Sequence, residues 1–228
     1  MTGSIILVAK LKGGAGATTT CRELAAAALA DGRSVALIDL DGQAGLTRWW
    51  NRRTGNGPAD ACRDPDLLQL TAEQIPGAAG ALRGRYDLVV IDSPPSVHGT
   101  IRDVAAAADL ALIPSKPTTD DLDAVGPIVR LLHGTVDHAF VLTMIPPAKG
   151  SRDGADALKV LSALAPILGR TTYRSEFSRP PGRGMTGFEE GPAAHREIAD
   201  LYAKVMARLK MTSARDHVIT ASSNTEDN

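Results

Sequence analysis

The stretch Lys12-Gly13-Gly14-Ala15-Gly16-Ala17-Thr18-Thr19-Thr20 has the residue types and spacing to hold a phosphate. Its glycines let the backbone wrap an anion, and the N–H groups of a following helix supply partial positive charge. The usual phosphate-loop pattern, G-x-x-x-x-G-K-[ST], ends in lysine and a hydroxyl residue. Here Thr18 supplies the hydroxyl, Ala17 stands where lysine is expected, and Lys12 opens the loop. Two acidic stretches complete the set. Asp39 and Asp41 lie at alternate positions of an apolar run, so both point to one face of a strand. Leu88-Val89-Val90-Ile91 runs straight into Asp92, the form of a Walker B carboxylate that holds Mg²⁺ through water.

These groups need strands behind them and helices beside them. The apolar run Ile5–Ala9 predicts a buried strand before the loop, and the Ala- and Leu-rich Cys21–Ala30 a helix after it, with Asp31-Gly32 as its C-cap. Further strands are expected at Ser34–Leu40, Leu67–Leu70, Asp109–Pro114, His138–Ile145 and Ile167–Thr171. Helices are expected at Thr71–Arg83 (interrupted by Pro76 and Gly77), Ile101–Ala108, Thr119–Leu132 capped by Thr118, Ser151–Leu164 and Pro192–Lys210. Thr54–Asp66 and Ser178–Glu190 read as loops, and Trp49-Trp50 as a plug at a core edge. Apolar strands alternating with helices indicate an α/β fold. It is a single-domain, doubly wound, mostly parallel sheet over residues 1–210, with a polar, frayed tail at 211–228.

The whole chain restricts function little. It has 228 residues and a net charge of −1, so no overall charge demands nucleic acid or membrane. Its two cysteines, Cys21 and Cys62, have no zinc or disulfide spacing. The N-terminal apolar run is broken by Lys10 and Lys12, and no run reaches the roughly 20 residues of a membrane helix. A cytoplasmic protein without membrane contact is expected.

Lysine immediately before the glycine pair is the deviant Walker A arrangement, and the loop resembles that of the ParA/MinD family of ATPases. The family consensus K-G-G-x-G-K-[ST]-T is matched everywhere but Ala17. Asp39-Leu40-Asp41-Gly42-Gln43 resembles the family's D-x-D-P-Q segment, and Asp92-Ser93-Pro94-Pro95 its D-x-P-P. The resemblance covers residues 3 to about 210 and is nearest to short, Soj-like partition proteins. It implies that Gly13, Gly14, Ala15, Gly16, Ala17, Thr18 and Thr19 cradle ATP or ADP. Thr18, Asp39 and Asp92 would then hold Mg²⁺, Asp41 would orient the attacking water, and Lys12 would reach the partner's phosphates in an ATP-bound homodimer. The asparagine that often serves the adenine is replaced by Thr143-Met144-Ile145, and the Ser178–Glu190 loop is expected to border the base.

From Arg170 to Arg215, nine basic residues against five acidic give a local charge of +4. By itself this reads as a solvated face. The resemblance turns it into a non-specific DNA surface formed by Arg170, Arg174, Arg179, Arg183, Lys204, Arg208 and Lys210. The implied function is a positioning ATPase, nucleoid-associated when ATP-bound. A small ParB-like or adaptor protein would release it, and the cargo would be DNA or another intracellular body. Ala17 removes one charge-assisted phosphate contact worth roughly 1.5–3 kcal/mol, about one to two decades of affinity, and weakens hydrolysis further. A non-hydrolysing module that docks a partner is the alternative. A MinD-like membrane regulator is disfavoured, because nothing after Lys210 resembles a basic amphipathic helix.

Overall fold

The computed structural model describes residues 2–10, 12–55, 64–95, 99–147 and 152–223. Cys62 and most of the Thr54–Asp66 loop lie outside the described residues, as does the side chain of Arg215. Seven strands form one parallel sheet: β1 (Ser4–Val8), β2 (Val35–Asp39), β3 (Asp66–Leu68), β4 (Leu88–Asp92), β5 (Leu110–Ser115), β6 (His138–Ile145) and β7 (Ile167–Thr172). Their order is β3-β2-β4-β1-β5-β6-β7, and every pairing is parallel. The doubly wound α/β fold expected from the alternation is present.

Pleating divides each strand between two cores. In β1 and the residue after it, Ile5, Leu7 and Ala9 face one layer, while Ile6 and Val8 face the other. The first layer is closed by α3 (Ile75–Arg85), α4 (Thr100–Ala107), α5 (Thr119–Leu132) and α6 (Arg152–Ser162), through Leu82, Val104, Ile128 and Leu161. The second is closed by α1 (Ala17–Ala30), α2 (Gly45–Thr54) and α8 (Pro192–Ser223), through Leu24, Trp49 and Leu201. Because both faces of the sheet are covered, the central strands read as unbroken apolar runs.

β1 and β4 are neighbours, yet α1 leaves β1 on one face and α4 leaves β4 on the other. Ligands in open α/β sheets bind at such a switch point, at the carboxyl ends of the strands. The register aligns the chemistry there, since Asp92 pairs with Val8 on one side and with Asp39 on the other.

Four local differences from the sequence reading have simple causes. Leu46–Arg53 is a helix, α2, begun by Ala44 in the left-handed region and closed by Gly55. Pro76 does not interrupt a helix. A 3₁₀ turn at Ala72–Gln74 comes first, and Pro76 falls in the first turn of α3, where its missing N–H has no intrahelical partner to lose. The Ser178–Glu190 loop contains a 3₁₀ turn (Pro180–Arg183) and one helical turn, α7 (Gly187–Glu190), with a Thr186/Glu189 capping box. Finally, α8 continues past Lys210 to Ser223, because residues 211–223 hold no glycine or proline to end it.

Candidate functional site

β1 ends at Val8, and the chain turns through the glycine loop into α1. Gly14 and Gly16 have φ of 83° and 91°, a left-handed conformation that side chains oppose. Gly16 is also the N-cap of α1, with no side chain bonded to the helix end. The first-turn N–H groups of α1 are thus directed into the loop, as an anion site requires.

Thr18, expected at the metal, lies against Asp92. Thr18 Oγ1 donates to Asp92 Oδ2 at 2.6 Å. On the other oxygen of that carboxylate lies Lys10, to which the sequence assigns no role in the loop pattern. Lys10 Nζ is 2.9 Å from Asp92 Oδ1 and 2.8 Å from Asp41 Oδ2, and the lysine is 5% exposed. Burial alone would lower its pKa, but the charges and hydrogen bonds of Asp92 and Asp41 raise it, so the ammonium is kept. Burial pushes Asp92 upward. For Asp41, burial is outweighed by the hydrogen bonds from Lys10 and the Gln43 N–H, and its carboxyl sits below the usual range.

Asp39 is engaged elsewhere. Its Oδ2 accepts from the Thr47 N–H at 2.8 Å and the Thr47 hydroxyl at 2.9 Å, and its Oδ1 accepts from the Asp41 N–H at 3.1 Å. Asp39 therefore caps the first turn of α2 and holds the Asp41 segment to the strand end. Lys12 lies 3.4 Å from Asp121 in α5, which also pairs with Lys116 at 3.6 Å. The loop is tied from its far side by Thr143, whose hydroxyl donates to Ala15 O at 2.8 Å.

Beside the loop, a cavity of about 400 Å³ runs between the start of α1 and the carboxyl ends of β6 and β7. Gly16, Thr19, Thr143, Tyr173, Phe177 and Ser178 contribute to its lining. Met144, at φ 54°, accompanies an irregularity in the β6–β7 register that turns the end of β6 toward this space.

The seven basic residues expected to meet DNA divide into two groups. Arg174 pairs with Glu197, Arg183 with Glu190, Lys204 with Asp200, and Arg208 with Asp137 through two hydrogen bonds of 2.6 and 2.7 Å. Arg170, Arg179 and Lys210 are exposed, as are the paired Arg183 and Lys204. The tryptophan pair packs as expected. Trp49 is 1% exposed, with its indole N–H on Met185 O, and the Trp50 indole N–H bonds Pro65 O.

A family profile described as the CobQ/CobB/MinD/ParA nucleotide binding domain matches residues 6–187. The chain belongs to this family. It is 36% identical over 148 residues to the "Maintenance of carboxysome distribution protein A" of Gloeobacter kilaueensis, covering 63% of this chain and 64% of that protein. The match thus spans just under two thirds of that relative. The protein of the same description from Halothiobacillus neapolitanus is 33% identical over 208 residues, 86% of this chain and 91% of its own. Among solved structures, a plasmid partition protein of Borrelia burgdorferi B31 bound to AMPPNP superimposes with a TM-score of 0.73 at 20% identity. That likeness covers 90% of this chain and 99% of the other, and it supports the fold. The family is one of ATPases that partition or position cellular cargo.

The Thr18 hydroxyl and Asp92 carboxylate are hard oxygen donors, suited to a magnesium ion that keeps several waters. No closed cage of three or more His, Cys, Asp or Glu residues occurs among the described residues, and an ion shared with phosphates needs none. No helix among them is long and apolar enough to cross a membrane. Of the residues that matter here, Lys10 had no motif to announce it. A lysine at the end of a buried strand, two positions before the deviant lysine, was the one readable signal.

Proposed function

We propose that this chain is a ParA-type positioning protein that binds ATP or ADP at residues 13–19, forms an ATP-dependent homodimer and holds duplex DNA without sequence preference. One observation carries the reading: the glycine loop opens onto α1 at the β1/β4 switch point, with Asp41, Asp92 and Thr18 beside it and the 400 Å³ cavity alongside. The loop and helix N–H groups take the phosphates, and the cavity lined by Thr143, Phe177 and Ser178 takes the nucleoside. Thr18 and Asp92 would hold a magnesium ion, which would supply positive charge against the phosphates. Asp41 orients water for attack, and Lys12 acts across the dimer. Arg170, Arg179 and Lys210 supply phosphate contacts to DNA, and a small adaptor protein stimulates release.

The test is solution molar mass by light scattering with no nucleotide, with ADP and with ATP plus Mg²⁺, together with retention of the ATP form on arbitrary-sequence duplex. A monomer that becomes a dimer, and gains DNA, with ATP alone is the expected result. A mass indifferent to nucleotide in a chain that binds none would favour a partner-docking module instead.

A further inference from the structure

Position 17, the first residue of α1, carries no charge, and a lysine stands instead beneath the same loop at position 10. We propose that Lys10 is the phosphate-loop lysine moved to the strand end: its ammonium supplies the fixed positive charge for the nucleotide's terminal phosphates that position 17 lacks. The inference rests on the nucleotide-binding reading above and adds the residue that makes it work.

Three observations carry it. Lysine is almost never buried without partners, yet Lys10 is 5% exposed and its ammonium is held by Asp41 and Asp92 rather than by any surface acid. An ammonium has three N–H donors. Two are taken by these carboxylates, which leaves one for an incoming oxygen. Lys10 and the Thr18 hydroxyl also occupy the two oxygens of the same Asp92 carboxylate, so the ammonium is one group away from the first-turn hydroxyl that faces the phosphates. Lys10 further shares the lining of a small cavity under the loop with Lys12 and Ala15.

Electrostatics requires some such charge. Asp39, Asp41 and Asp92 crowd one end of the sheet, and three carboxylates without a cation would repel a polyphosphate. Magnesium arrives with the nucleotide, but the loop itself must be neutralised beforehand, and Lys10 does this from within the fold. The rival reading is that Lys10 only pins Asp41 and Asp92 in place and never bears on phosphate.

The experiment measures the affinity of a fluorescent ADP for the full chain, in Mg²⁺ and in EDTA, with a thermal melt of each variant. Lys10→Met is expected to weaken binding by about 10- to 100-fold, as loss of a charge-assisted contact does. Lys10→Met/Ala17→Lys, which returns the ammonium to the usual position, is expected to recover affinity to within a few-fold in both buffers. If Lys10→Met melts and binds like the original chain, the proposal is overturned. If Lys10→Met fails to fold because Asp92 and Asp41 lose their partner, Ala17→Lys on the chain that keeps Lys10 decides. A gain in ADP affinity of no more than a few-fold supports Lys10 as the charge already in place. A gain of about 10- to 100-fold overturns it. Should the original chain bind no nucleotide while Ala17→Lys binds, Lys10 is not the replacement, and the nucleotide reading of the family site survives. If no variant binds, that reading falls and the proposal with it.

Discussion

Glu23 and Gly187 are hydrogen-bonded across the second core: Glu23 Oε1 accepts the Gly187 N–H at 2.9 Å, and Oε2 accepts the Phe188 N–H at 2.7 Å. A fully buried carboxylate on α1 thus anchors the first turn of α7, on the segment that follows the cavity-lining Phe177 and Ser178. Burial raises its pKa to about 7 from an ordinary 4.5, against the pull of the two N–H groups and Arg22. The folded chain therefore keeps a proton that the unfolded chain releases between these values. Stability is full below pH 4.5, falls as pH rises toward 7 and is level above, by about 3 kcal/mol for this group.

Glu23→Gln cannot release that proton. The difference in melting temperature between the variant and the original chain should shift in the variant's favour from pH 5 to pH 8. Parallel pH profiles for the two proteins would rule out Glu23 as the source.

Gly184 ends the 3₁₀ turn at Pro180–Arg183 with φ 77°, and a Cβ there would lie 2.4 Å from the Arg53 backbone in α2. Gly184→Ala should lower stability by about 2–4 kcal/mol, from left-handed strain and overpacking together. Urea unfolding with an unchanged slope and an earlier midpoint would register it. A change under half a kcal/mol would mean that this turn is not packed against α2 in solution.

Thr143→Val removes a hydroxyl and keeps the shape. The Ala15 carbonyl, bonded by that hydroxyl at 2.8 Å, loses its partner, which costs about 1–3 kcal/mol for a buried acceptor. Because that bond orders the binding loop, the variant should also bind ADP more weakly, so the loss should be larger with saturating ADP than without it. Equal destabilisation in both states would separate Thr143 from the binding loop.

For DNA, charge removal should sort by pairing. Replacing exposed Arg170, Arg179 and Lys210 by glutamine should weaken binding to arbitrary duplex and reduce the salt slope by about 1 per lost contact. Arg208→Gln breaks its two hydrogen bonds to Asp137, so it should reduce stability and leave that slope nearly unchanged. A slope that responds only to Arg208 would move the DNA surface to the α8–Asp137 side.

The sequence by itself determined the elements and the kind of ligand. Apolar runs with acids at their ends read as central parallel strands when they alternate with helical segments, and a glycine loop between strand and helix reads as an anion site, because both follow from local periodicity and backbone freedom. The amphipathic pattern of α8 was readable to Lys210, while its extension to Ser223 was not, since a polar helix without stop signals has no apolar stripe to mark it. The partners of charged groups were decided by the tertiary structure alone. Asp39 turned to cap α2, four of seven basic residues found acids, Glu23 reached Gly187, and Lys10 came between Asp41 and Asp92. Apart from Lys204–Asp200, one turn apart in α8, those contacts join residues 7 to 164 positions apart, brought together by folding between elements, which no spacing within one element encodes.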